Sequence, residues 1–174
     1  MVDAVERPVQ RFPAAREAAA AAWLRHEVGR IADQANAIQA FSSGANGGDI
    51  LFLEACQHVS VEATIVLPFP PEIFVGTSVA SAGGDWERRF QALWDATPPI
   101  RREIMNLPIT TAAAYTACNL RLLNRARKVG DIHLLVLWDG QRGREGGTAE
   151  LVQEAEKLRA SITSADPLSL PRND

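Results

Sequence analysis

Two glycine-rich stretches hold the residues whose types and spacing could do chemistry. The first is Ser43-Gly44-Ala45-Asn46-Gly47-Gly48-Asp49. An apolar run from Ala37 to Phe41, broken by Gln39, precedes it, and an apolar helical pattern begins at Asp49. Strand, glycine turn and helix, in that order, is the grammar of a phosphate- or nucleotide-cradling site. Glycines let the backbone approach a ligand, and a helix start offers unpaired N–H groups at the positive end of its dipole. The second stretch, Asp139-Gly140-Gln141-Arg142-Gly143-Arg144-Glu145-Gly146-Gly147-Thr148-Ala149-Glu150, follows the apolar run Ile132 to Trp138 and opens another helix. Either loop alone is a weak signal; the pair together points to a ligand site.

Individual side chains each admit a structural and a functional role. Asp49 stands where a helix N-cap would be, so its carboxylate either caps N–H groups of its own helix or accepts from a ribose hydroxyl. A phosphate close to that charge would be repelled and would have to rest on Gly44 to Gly48. Glu54 lies among Ile50, Leu51, Phe52, Leu53, Ala55 and Cys56. A carboxylate buried there needs partners: a structural ion pair, loop amides, or a place shaping the pocket from behind. In the second loop Thr148 can cap the helix, and Gly146 and Gly147 expose N–H groups. Glu150 in the first turn compensates the dipole or touches a sugar. Arg142 and Arg144 are placed to meet a phosphate or are simply solvated. Tyr115 and Asn119 share one face of a long helix, where they edge a purine or pair in the core. The ligand-binding set is Ser43, Gly44, Gly47, Gly48, Asp49, Tyr115, Asn119, Gly146, Gly147, Thr148 and Glu150. The carboxylates available to an enzyme are Asp49, Glu54 and Glu150.

The elements that must position these residues alternate. Residues 1 to 13 read as an irregular lead-in, and Ala14 to about Ala35 as an Ala- and Glu-rich helix. A strand over 37–42, the first loop and a helix from Asp49 to about His58 follow. Glu62 to Leu67 is a second strand, ended by Pro68; Pro71 opens a short helix through about Ala80. Asp85 can cap a helix from Trp86 to about Asp95, and a short strand runs from Ile100 to Met105. A long helix from about Thr110 to Val129 ends at Gly130, and the buried strand 132–138 leads into the second loop. A helix to about Arg159, a strand from Ser161 to Ser164 and a flexible tail over 165–174 close the chain. Strands alternating with helices predict an α/β domain with a mostly parallel sheet covered on both faces. Both loops should then lie on the carboxyl rim of the strands, where such sheets bind ligands.

The whole chain bounds the remaining choices. Its 174 residues fit one domain, 1–174, with an adequate core. Hydrophobic residues make 47% and charged residues 22%, and the net charge of -3 gives no general attraction to nucleic acid or an anionic membrane. Cys56 and Cys118 sit far apart in apolar helical contexts, as reduced thiols of a cytoplasmic protein would. The start of the chain does not read as a signal peptide, and no apolar run approaches the roughly 20 residues a membrane span needs. His26, His58 and His133 lack metal spacing, so no metal site and no cofactor is assigned. No serine elbow or Cys/His pair points to nucleophilic catalysis.

These residues resemble a known family. Ser43 to Ala55 is similar to the glycine, aspartate and helix-glutamate element of the SLOG superfamily, Rossmann-like nucleotide-binding domains that include the Lonely Guy phosphoribohydrolases. Gly146-Gly147-Thr148-Ala149-Glu150 looks like the family's Gly-Gly-Thr loop. Val66-Leu67-Pro68-Phe69, Thr77-Ser78-Val79, Gly83-Gly84-Asp85-Trp86, Tyr115 to Asn119 and Leu137-Trp138-Asp139-Gly140 resemble a bacterial branch fused to tetratricopeptide repeats, nucleotide cyclases and other signalling modules. The match covers about 40 to 155. It implies a three-layer Rossmann-like domain that binds a nucleotide or nucleotide-derived ligand.

The chain also departs from the family. The Lonely Guy enzymes carry Glu three residues after the loop Thr, whereas here Glu150 comes two after Thr148 and Leu151 holds the family's position. One residue turns a helical side chain by about 100 degrees, so the resemblance does not by itself assign the family's catalytic carboxylate to Glu150. SLOG domains begin with a further strand and loop, and Met1-Val2-Asp3 looks like the end of that element. If that element is truncated, one wall of the pocket is missing or supplied by a partner. The leading expectation is a non-catalytic sensor of a nucleotide-derived small molecule in bacterial signalling or defence. It would act through a fused or associated effector, with a homodimer among its admissible assemblies. The rivals are an N-glycosidase or phosphoribohydrolase-like enzyme and a ligand-free interaction scaffold.

Overall fold

In the computed structural model, which describes residues 11–107, 111–142 and 146–171, one strand is buried on both faces. It is β2 (Ala63–Leu67), in which Thr64, Ile65, Val66 and Leu67 are all buried. A run of that kind suits a central parallel strand. β1 (Ala40–Ser42) pairs parallel with it on one side and β3 (Arg102–Ile104) on the other; Ser42 lies opposite Ile65 and Leu67 opposite Ile104. β4 (His133–Leu137) and β5 (Ser161–Ala165) form a second parallel pair. Among the described residues no ladder joins β1 to β4, so the layer expected as one sheet comes as a three-stranded and a two-stranded piece. The first strand keeps only the end of its expected span, 37–42. The chain leaving α1 (Glu17–Gln34) uses the intervening residues to turn back toward the sheet.

α2 (Gly48–His58) connects β1 to β2. From β2 the chain passes through α3 (Pro71–Phe74), a π-helical turn over Val75–Val79, a 3₁₀ turn over Ala80–Ala82 and α4 (Trp86–Ala96). Pro71 opens α3 because its missing N–H has no partner to lose there. Asp85 does not cap α4 as expected; its carboxylate pairs with Arg88 and Arg89 instead. The chain then crosses back through α5 (Ala112–Val129) to β4, and α6 (Thr148–Lys157) links β4 to β5. The lead-in through residue 10, residues 108–110 and 143–145, and the tail from 172 lie outside the described residues.

Alternation along β2 divides the core. Ile65 and Leu67 project into a cluster with Leu24 and Val28 of α1, Ile50, Leu51 and Leu53 of α2, and Phe90 and Leu93 of α4. Full burial of each such side chain contributes about 1.5–3 kcal/mol. On the other face α5 lies over β1 and β2, with the Cys118 thiol donating to the Val66 carbonyl at 3.4 Å. There α6 packs on β4 and β5 and against α5. Parallel strands with helices on both faces make a Rossmann-like α/β fold. No described helix is long and apolar enough to cross a membrane.

Candidate ligand-binding site

The first loop leaves β1 after Ser42 and is held by its own polar groups. Gly44 and Gly47 both have φ 83°, a region that favours glycine, and a Cβ on Gly44 would meet the Phe90 ring at 3.2 Å. Asp49 reaches back rather than down its own helix. Its Oδ2 accepts from the Ser43 hydroxyl and from the Ala45 N–H, the latter at 3.2 Å. Ile50 N–H donates to the Ala45 carbonyl and Leu51 N–H to the Gly47 carbonyl. No described residue accepts from the N–H groups of Gly47, Gly48 or Asp49, which are the donors an anion at this helix start would use.

Asn46, between the loop glycines, is 1% exposed and fastens the loop to the π-helical turn. Its backbone N–H donates to the Ser78 carbonyl at 3.0 Å, and its Nδ2 donates to the Val79 carbonyl at 3.0 Å and to Ser81 Oγ at 3.2 Å. Asn46 thereby caps the last carbonyls of that turn from outside the helix. Its Oδ1 is buried with no partner among the described residues. An unsatisfied buried acceptor costs roughly 1–3 kcal/mol, so this junction carries an energetic debit.

The second loop is held in the same manner. Gly146 has φ 75°, and a Cβ there would sit 2.9 Å from the Ala112 carbonyl and from Tyr115 Cβ. Its N–H donates to Glu150 Oε2 at 2.6 Å and its carbonyl accepts from Asn119 Nδ2 at 2.9 Å. The N-cap of α6 is Gly147 and not Thr148 as expected; Glu150, three residues on, reaches back past the cap in the manner of a capping box. No described residue accepts from the N–H groups of Thr148 or Ala149. Arg142 is exposed, while Gly143, Arg144 and Glu145 lie outside the described residues.

Tyr115 and Asn119 share a face of α5 without bonding to each other. Tyr115 Oη lies 3.1 Å from Ser78 Oγ and its ring meets Phe69 edge-on at 5.6 Å, while Asn119 turns to Gly146. The structure thus brings the two loops to one end of α5. Gly48 borders Leu137 at the end of β4; a Cβ on it would lie 3.8 Å from Leu137 Cδ1.

Glu54 stands apart from this rim. Its two carboxylate oxygens accept from Arg89 Nε and Nη2 at 2.8 and 2.6 Å, and Arg89 also pairs with Glu17 and stacks 4.1 Å over the Trp86 ring. The hydrogen bonds from Arg89 to Glu54 raise the guanidinium's already high pKa further, against the opposing pull of burial. The pair joins α1, α2 and α4.

Sequence reasoning missed Arg89, Asn46, Ser78 and Arg11. Arg11 forks onto the Asp139 carboxylate and donates to the Gln141 carbonyl at 2.9 Å, clamping the start of the second loop. That fork holds the Asp139 carboxyl below its ordinary value of 3.8. A lone asparagine inside a glycine loop was the available signal for Asn46. The distant partners of the others leave no local pattern. Two concavities lie away from the loops: about 140 Å³ beside Gln57, Leu93 and Arg101, and about 610 Å³ beside Arg127, Asp131 and Arg159. Among the described residues no His, Cys, Asp and Glu cluster has the makings of a metal site. Comparison with protein-family models, curated proteins and solved structures finds no match to this chain.

Proposed function

We propose that this chain is a SLOG-like binding module for a nucleotide or nucleotide-derived ligand, held across the two glycine loops and sensed rather than consumed. One observation carries the preference for binding over turnover. All three candidate carboxylates are engaged by the protein's own donors: Asp49 by Ser43 and Ala45, Glu150 by Gly146, and Glu54 by Arg89. A general base or an oxocarbenium-stabilising group must face the reacting atoms instead. The N–H groups of Gly47, Gly48 and Asp49, and of Thr148 and Ala149, have no acceptor among the described residues and would supply two anion-seeking helix starts. A phosphate would rest on one and a second phosphate or a sugar on the other. The sensed signal would pass to a fused or associated effector domain in a bacterial signalling or defence system.

Amide chemical-shift mapping with adenosine monophosphate and ADP-ribose tests this reading. Shifts concentrated at Gly47 to Asp49 and Gly147 to Ala149, with the nucleotide recovered intact by chromatography, are the expected result. Shifts confined to the Arg127 and Arg159 end of the molecule would move the site elsewhere. Release of the free base would replace the sensor with an N-glycosidic enzyme, and no shift at all would favour an interaction scaffold.

A further inference from the structure

The two glycine loops are joined through elements that neither loop contains, by hydrogen bonds that reach α5 from either side and by the first turns of α5 between them. Asn46 N–H donates to the Ser78 carbonyl at 3.0 Å, Ser78 Oγ lies 3.1 Å from Tyr115 Oη, and Asn119, one turn along α5, donates to the Gly146 carbonyl at 2.9 Å. Gly146 also lies directly on Tyr115: a Cβ at this glycine would be 2.9 Å from Tyr115 Cβ. The link is backbone to backbone at the first loop and side chain to backbone at the second, with Ser78 and Tyr115 at its centre.

We propose that Ser78 and Tyr115 are positioning residues that couple the two loops, so that a shift of the first, as on ligand contact, resets the second. The movable element is the π-helical turn Val75–Val79. Its Val75 carbonyl bonds forward to the Ala80 N–H, and the carbonyls of Ser78 and Val79 are taken by Asn46. A π turn differs from an α turn by one residue of slip, and that α arrangement would be the second state a coupling element requires. Asn46 holds the turn in the observed one. The cost of doing so is visible in Asn46 Oδ1, buried with no partner among the described residues. Gly76 within the turn meets nothing within 4 Å at its Cβ position, so no neighbouring side chain packs on that face of the turn. Movement of Asn46 releases the Ser78 and Val79 carbonyls, and the displaced Ser78 hydroxyl pulls on Tyr115 and the start of α5. Gly146, pinned there by Asn119, follows.

The inference rests on the two-loop reading only for its use in sensing, because the coupling is measurable without ligand. The experiment is amide hydrogen exchange on the ligand-free chain, read at Gly146 and, across the molecule, at Asn46. Asn119→Ala removes the donor to the second loop. It is expected to speed exchange at Gly146 and also at Asn46 by about two- to thirtyfold, the range such coupling energies give, with amides of α1 and β2 unchanged. In a Tyr115→Phe background, the same substitution should leave Asn46 unmoved. A response at Gly146 alone, or one at Asn46 that persists undiminished in Tyr115→Phe, overturns the proposal. Glu150→Gln, which weakens the other hold on Gly146, gives the same readout should Asn119→Ala unfold the chain. A nucleotide panel with no hit would leave these outcomes standing, so the two claims fail separately.

Discussion

Asp49 and Glu150 show how a residue legible in sequence acquires its role only from its partner. Both positions mark helix starts in the sequence, and both carboxylates turn backward to hold a loop amide, Ala45 in one case and Gly146 in the other. Helix-start chemistry was readable; the direction of each side chain was not, because the loop conformation that presents the amide depends on glycines at positive φ. Asp139 was read only as loop, since its partner Arg11 is 128 residues away. The fork from Arg11 depresses the Asp139 pKa, so its stabilisation is full above the unfolded value of about 3.9 and is lost as pH falls through the lower folded value. Asp139→Asn should therefore lose about 1 kcal/mol at neutral pH, a modest figure for a part-exposed pair. Urea unfolding at descending pH should show the variant and parent converging once acid protonates Asp139. A gap that stays constant into acid would remove the charge pair from the account.

At the scale of elements, the buried strands and long helices were the readable part. The apolar runs that become β2 and β4 and the periodicity of α1 and α5 are local properties, and they fixed the alternation of an α/β fold. The π-helical turn was not readable. Its residues, Val75-Gly76-Thr77-Ser78-Val79, carry no local mark of π spacing, and the Asn46 that bonds its last carbonyls comes from another loop. Two glycines along the proposed coupling, one in the π-helical turn and one in the second loop, should respond oppositely to a methyl group. Gly76 has open space and a helical setting, so Gly76→Ala should stabilise by about 0.4–1 kcal/mol. Gly146→Ala combines positive φ with two contacts at 2.9 Å and should cost about 1–3 kcal/mol. Chemical denaturation midpoints compare the two directly. Equal and small effects would mean that the second loop does not pack on α5 as described.

Across the whole molecule, the two cysteines report on the integrity of the double-sided core. Cys56 belongs to the α1, α2 and α4 side and Cys118 to the α5 side, and burial pushes each thiol up to about 12. Both should stay unmodified by a thiol reagent at neutral pH and react only on unfolding; rapid native-state labelling of either would place a gap in that face. The central claim is that the two loops form one nucleotide site. The most direct test is a thermal-shift titration against nucleoside mono-, di- and triphosphates, NAD, ADP-ribose and cyclic nucleotides. At about 100 times its dissociation constant a ligand adds roughly 2.7 kcal/mol, which for a chain of this size raises the midpoint by about 5–10 °C. The account predicts such a rise for at least one member, and its loss when Gly48 and Gly147 are replaced by bulky residues in variants that remain folded. A flat panel on folded protein, or a rise that survives those replacements, would contradict it.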